Sequence, residues 1–281
     1  MATLRKPKKK FKPVLLTAGD SPEFLRMMVY GNSGVGKTQF CGTAVEVPGM
    51  RRVLVVDCGT STDTLIAEPQ FKDIMIFRAT KWDELQDIYE WLLPIEEGGQ
   101  GNPEGIKTVI LDELNTIYRS LLEKVIAHKV MASKGKRIDT WEIHQSDYGD
   151  ARRMMHLMIN SYLQLNINLL VTALVYEATT ELGPNMYLPN LCGKLAYEIP
   201  GRFSSVGYLT VDTPVRLRKK NMPSTEEEQS IEFDTRIMHF VGNRKFIAKW
   251  RGQTETQLLG SEFENPTLPK ILNAINKKGT N

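Results

Sequence analysis

The feature that most constrains this chain is the run Gly31-Asn32-Ser33-Gly34-Val35-Gly36-Lys37-Thr38. It fits G-x-x-x-x-G-K-[ST], the pattern of a loop that wraps phosphate. Its setting suits that task. An apolar stretch, 24–30, precedes it as a buried strand, and 39–47 follows as a helix closed by Pro48-Gly49. Three glycines keep side chains out of the turn, so backbone N–H groups converge on phosphate oxygens. The start of the following helix adds partial positive charge at the same place. In this arrangement Lys37 reaches the β- and γ-phosphates, and the Thr38 hydroxyl binds Mg²⁺. The expected nucleotide-binding stretch is Gly31 to Gln39, and the expected ligands are ATP and Mg²⁺.

With 281 residues the chain is long enough to bury a full core. Its hydrophobic and charged fractions, 41% and 25%, are those of a soluble globular protein. No apolar run approaches the roughly 18 residues of a membrane span. Val14-Leu15-Leu16 is too short for the core of a signal peptide, so a cytoplasmic location is expected. Cys41, Cys58 and Cys192 form no C-x-x-C pair, and His128, His144, His156 and His239 are equally scattered. Neither a disulfide framework nor a zinc site is indicated.

The net charge of +3 is unevenly spread. Arg5, Lys6, Lys8, Lys9, Lys10 and Lys12 crowd the first twelve residues, and the remainder sums to −3. Such an arm either contacts a polyanion or merely solubilises the chain. Three segments are expected: a basic arm over 1–20, a core over 21–252, and a linker with a short helix over 253–281.

Within the core, apolar runs at 52–57, 74–78, 107–112 and 168–175 read as further strands, with helices over 82–93, 115–131 and 150–165. This alternation predicts an α/β fold with a mostly parallel sheet covered on both faces. The stretch 176–195 reads as a loop, and 212–229 as an exposed excursion. Strands are expected over 205–211, 235–241 and 245–250, the last two joined as a hairpin by the Gly242-Asn243 turn.

Val109-Ile110-Leu111-Asp112-Glu113 supplies the second half of a nucleotide site: an apolar strand ending in acid. Asp112 is placed to hold the magnesium shell. Two strands separate the loop from Asp112 in sequence, and at least one of them is expected between the two in the sheet. Hydrolysis needs a group that orients or deprotonates water. Glu113 is the first candidate, and Asp57, at the tip of the second strand, is the other.

The order of elements resembles the RecA-like ATPase core, and more narrowly the phage ATPases of the Sak single-strand-annealing group. The motifs that carry the resemblance are GNSGVGKT, VLVVDCG, VILDE, LLVTALV with the Gly193-Lys194 segment beyond it, and FIAKWRG. The resemblance implies a homo-oligomer, ring or filament, with ATP at subunit interfaces. Arg251 and Lys249 of the K-x-R element would then complete a neighbour's site. It also implies single-stranded DNA as partner, held by Lys134, Lys136, Arg137, Trp141, Tyr176, Tyr187 and Lys194. A single-strand-binding protein is a further implied partner, and the location would be the host cytoplasm if the chain is phage-encoded.

Two positions depart from that family's pattern. Gly59 stands where a catalytic Glu is expected, and Leu174 stands near the place of a polar γ-phosphate sensor, leaving Thr172 as the nearest polar group. Two other readings follow. One is a different P-loop motor: a helicase, a packaging motor or an AAA+-type remodeller. The other is an ATP-gated DNA-binding scaffold with little turnover.

Overall fold

The β-branched and apolar runs are long enough for strands and too short for helices, and they fold accordingly. The computed structural model describes residues 24–59, 61–136, 139–179, 185–212 and 235–276. The strands are β1 (Arg26–Gly31), β2 (Val53–Asp57), β3 (Met75–Arg78), β4 (Thr108–Asp112), β5 (Asn168–Ala178), β6 (Met186–Pro189), β7 (Ser205–Asp212), β8 (Thr235–His239) and β9 (Glu262–Glu264). The helices are α1 (Lys37–Gly42), α2 (Asp63–Ile66), α3 (Trp82–Leu92), α4 (Leu114–Ala132), α5 (Gln145–Gln164), α6 (Leu195–Arg202), α7 (Gln253–Leu259) and α8 (Leu268–Asn276).

The sheet order is β3-β2-β4-β5-β1-β7-β8-β9, with β6 paired to β5 outside this path. From β3 to β7 every pairing is parallel, and β8 and β9 close the sheet with antiparallel pairs. This is the α/β P-loop NTPase architecture, a mostly parallel sheet flanked by helices. Strand alternation sorts the core into two layers. Met28 and Tyr30 of β1 and Leu54 and Val56 of β2 face the layer of α3, α4, α5 and α6. Met27, Val29, Val53 and Val55 face the layer of α1, α7 and α8. Among the described residues no helix is long and apolar enough to cross a membrane.

Several expectations change. Neither β2 nor β3 lies between the loop strand and the Asp112 strand; β5, from downstream, does. The helix after the loop is short, because α1 ends at Gly42 and tightens into a 3-10 turn over Thr43–Glu46. Gly42 has its reason there: a Cβ on it would come within 2.7 Å of Leu65. The stretch 176–195 is not one loop, since β5 continues to Ala178 and β6 returns antiparallel beside it.

The Gly242-Asn243 turn forms, with the Gly242 N–H on Ala248 O at 2.9 Å, yet β8 and 245–250 do not pair as a hairpin. The returning arm bonds the edge of β7 instead, through Lys249 and Val206. Beyond 252 the chain is more than a linker. Strand β9 joins the sheet, and Leu259, Leu268 and Ile271 are buried in the core. The arm over 1–20 and the excursion beyond Asp212 lie outside the described residues.

Gly31 ends β1 between β5 and β7, and a Cβ there would sit 2.2 Å from the Leu209 carbonyl oxygen. That contact is with backbone, which does not rotate away. Gly31→Ala is therefore expected to cost about 3 kcal/mol, the upper range for overpacking, measured as a lowered midpoint in urea unfolding.

Candidate nucleotide-binding site

The C-terminal ends of β1, β2, β4 and β5 point the same way, so the loops that follow them converge on one cleft. Its volume is about 530 Å³, within the ordinary range for a small-molecule site. The loop after β1 forms its floor. Gly34 and Gly36 adopt φ of +78° and +91°, the left-handed values that turn successive amides inward and that favour glycine.

Lys37 is buried, and its ammonium donates to the carbonyls of Gly31 at 3.1 Å and Asn32 at 2.8 Å. Burial pushes the Lys37 pKa below its ordinary value, while the nearby Glu113 and Asp112 carboxylates pull it back up. The lysine thus rests on neutral carbonyl acceptors, and phosphate oxygens are stronger partners for it.

Thr38 donates its hydroxyl to Asp112 Oδ2 at 2.6 Å. Ser61 donates to the same oxygen at 2.9 Å, and Thr172 donates to Oδ1. A hydroxyl and a carboxylate side by side on the cleft wall are hard oxygen donors of the kind Mg²⁺ takes, so Thr38 and Asp112 fit the expected magnesium pair. Thr172, the polar group noted on the fifth strand, orients Asp112 from below.

The two candidate bases separate cleanly. Asp57 is buried and occupied: Oδ2 accepts from Thr62 at 2.6 Å, and Oδ1 accepts from the Gly59 N–H at 3.0 Å. It shapes the loop after β2. Glu113 is half-buried, lines the cleft, and accepts from the Asn115 amide at 2.6 Å through Oε1. Asn115 in turn accepts the Leu174 N–H at 3.2 Å, which ties the tip of β5 to the start of α4. The Asp112–Glu113 peptide is cis. Gly59 and Leu174 also line the cleft, so the departures noted in sequence fall inside the site.

This geometry has a counterpart in a known family. Residues 23–251 match the family described as AAA domain. The chain belongs to the AAA domain family. No curated protein matches it.

The K-x-R element of this AAA domain lies elsewhere. Arg251 is exposed in a groove with Phe24, Leu25 and Asn168, at the N-terminal ends of the strands, where burial first and the Arg251 charge second lower the pKa of Arg26. Arg26 and Gly31 are the two ends of β1, about 17 Å apart at 3.3 Å per residue. Arg251 therefore does not reach its own protomer's phosphate loop. Lys249 pairs with Val206 through the backbone and points its ammonium at the Gly201 carbonyl, 3.4 Å away.

The nucleic-acid candidates are dispersed. Lys134 and Lys136 are exposed between α4 and α5, and Trp141 on the same connection is 90% exposed. Arg137 lies outside the described residues. Tyr176 is exposed on β5, but it pairs with Leu188, whereas Tyr187 pairs with Glu177. Alternation then puts the two tyrosines on opposite faces of the β5–β6 ribbon. Tyr187 stacks on Tyr208 with centroids 6.0 Å apart, inside an aromatic cluster that includes Phe246. Lys194 is exposed just before α6.

Sequence reasoning missed Ser61, Asn115 and Arg236. The first two follow a strand-end acid within a few residues, and a short polar side chain at that spacing is their only signal. Arg236 has a weaker one. It sits on β8 in alternation with buried Met238, so its side chain faces the α1 layer and enters the cleft.

Proposed function

We propose that this AAA domain is a magnesium-dependent ATPase that works as a homo-oligomer on single-stranded DNA, in the manner of RecA-like recombination and annealing proteins. The observation that carries the hydrolytic half is Glu113, held by Asn115 in the same cleft as Lys37 and the Thr38–Asp112 pair. Glu113 takes the proton of a water whose oxygen attacks the γ-phosphorus, and the bond from that phosphorus to the β–γ bridging oxygen breaks. Asn115 commits Oε1, which fixes the carboxylate's orientation. Lys37 balances the charge that builds on the phosphate oxygens. Thr38 and Asp112 would hold Mg²⁺, which would supply further neutralisation of phosphate charge.

The oligomeric half rests on Arg251. Being remote from its own loop, it is free to serve the cleft of a neighbouring copy as a finger. Trp141 supports the DNA half: an indole bared to solvent, on the same connection as Lys134 and Lys136, offers a stacking face to go with their phosphate contacts.

Phosphate release with and without single-stranded DNA, with particle size followed in parallel, tests this reading. DNA is expected to raise turnover and particle size together, and Arg251→Ala to abolish the stimulation while leaving nucleotide binding intact. If ATP plus single-stranded DNA yields no oligomer at any protein concentration, the oligomeric reading is lost. Gly59 and Leu174 in the cleft wall favour a second reading, an ATP-gated DNA-binding scaffold with little turnover. It is recognised by tight ATP and DNA binding without phosphate release.

A further inference from the structure

The sheet order brackets the phosphate loop. Asp112, on β4, lies two strands to one side of β1, and Arg236, on β8, lies two strands to the other. Arg236 is fixed from both edges of its strand. It pairs with Val211 of β7, and its backbone exchanges hydrogen bonds with Asn265, which accepts from the Arg236 N–H at 3.3 Å and donates to the Arg236 carbonyl at 2.7 Å.

The side chain lies directly on the loop. Its guanidinium carbon is 2.8 Å from where a Cβ on Gly36 would stand. It donates to the Gln39 side-chain carbonyl, and the Gln39 amide donates onward to Glu68 at 2.6 Å. Among the described residues no carboxylate comes within ion-pair distance of it. A permanent cation at the wall of the cleft is thus held there by a neutral amide.

We propose that Arg236 is a nucleotide-binding residue acting within its own protomer, engaging the α-phosphate side of a bound nucleotide. This rests on the nucleotide-binding reading of the cleft. Lys37, Thr38, Asp112 and Glu113 define where the β- and γ-phosphates and the metal belong. The nucleotide's other end then points away from β4, toward β8. An anionic oxygen is a stronger partner for a guanidinium than the Gln39 amide, so Arg236 exchanges one for the other when nucleotide enters. The contact is made to a group that ATP and ADP share, so it contributes to holding both and not to the chemical step. In this respect it differs from Arg251, whose role is in a neighbour's site.

Titration calorimetry with ATP and ADP, on the full chain with Mg²⁺, tests the assignment. Arg236→Gln is expected to weaken ATP and ADP by the same factor, about 10- to 100-fold for a charge-assisted bond, with phosphate release at saturating ATP changed less than about threefold. Arg236→Lys keeps the charge and stem but loses the fork, and is expected to weaken both nucleotides by a smaller common factor. If Arg236→Gln fails to fold, the lysine variant decides: a common loss supports the contact and unchanged affinities overturn it. Unchanged affinity in Arg236→Gln also overturns it, as does a loss confined to ATP, which means a γ-phosphate contact. A fall in turnover without loss of affinity means a transition-state contact and overturns it too. Failure of the wild-type chain to bind either nucleotide overturns the cleft's reading itself, and the assignment with it.

Discussion

Replacing Lys37 by Ala is expected to weaken Mg²⁺–ATP binding roughly 30- to 3,000-fold, the effect of truncating one partner of a desolvated charge pair. The reason is specific to how this lysine is held. Its ammonium sits buried against two loop carbonyls, and phosphate oxygens offer it charged acceptors in the same place. The loss comes without unfolding, because deleting the ammonium also removes a desolvated charge from the free protein. Calorimetric titration together with a thermal melt separates the two effects. The affinity of the wild-type chain has an alkaline limb as well. Burial holds the Lys37 pKa below the ordinary lysine value, so the ammonium is lost, and binding with it, at lower pH than for an exposed lysine.

Glu113→Gln is expected to act on the other axis. It lowers phosphate release by about 10²- to 10⁴-fold, the contribution of a positioned general base, and changes ATP affinity little. The amide is isosteric, and its oxygen keeps the bond that Asn115 now makes to Oε1. The cleft should therefore be unaltered in shape and deprived only of its proton acceptor. Single-turnover phosphate release beside equilibrium ATP binding reads the two quantities separately. A variant that hydrolyses at the wild-type rate would transfer the role of base away from Glu113. Asp57 is poorly placed to take it, since its two oxygens are occupied by Thr62 and the Gly59 amide.

What was legible in the sequence was what is local. Gly31 to Thr38 encode a turn that needs left-handed backbone angles at Gly34 and Gly36, and the structure places both at those angles beyond the end of a buried strand. Asp112 and Glu113 could be read because an apolar run leads into them and ends. The unreadable parts depend on which strands become neighbours. Nothing in the β5 run Asn168–Ala178 says that it inserts between β1 and β4, because fully buried parallel strands have similar compositions.

The Gly242-Asn243 turn signal was sound, but the arm it returns found its partner on β7, through Val206 and Lys249, and not on β8. Arg236 lies 197 residues from Gln39, and only the β1–β7–β8 pairings bring the two together. A single arginine on the inward face of a strand was the one trace of it in the sequence.

The most direct test of the cleft as a hydrolytic site is phosphate release from ATP by the wild-type chain and by Glu113→Gln, with Mg²⁺ and single-stranded DNA present and ATP binding measured on the same samples. The expected result is wild-type turnover that stops when Mg²⁺ is chelated and falls at least about a hundredfold in the variant while both bind ATP alike. Equal rates in the two proteins, or bound ATP with no phosphate released by the wild type, would contradict it.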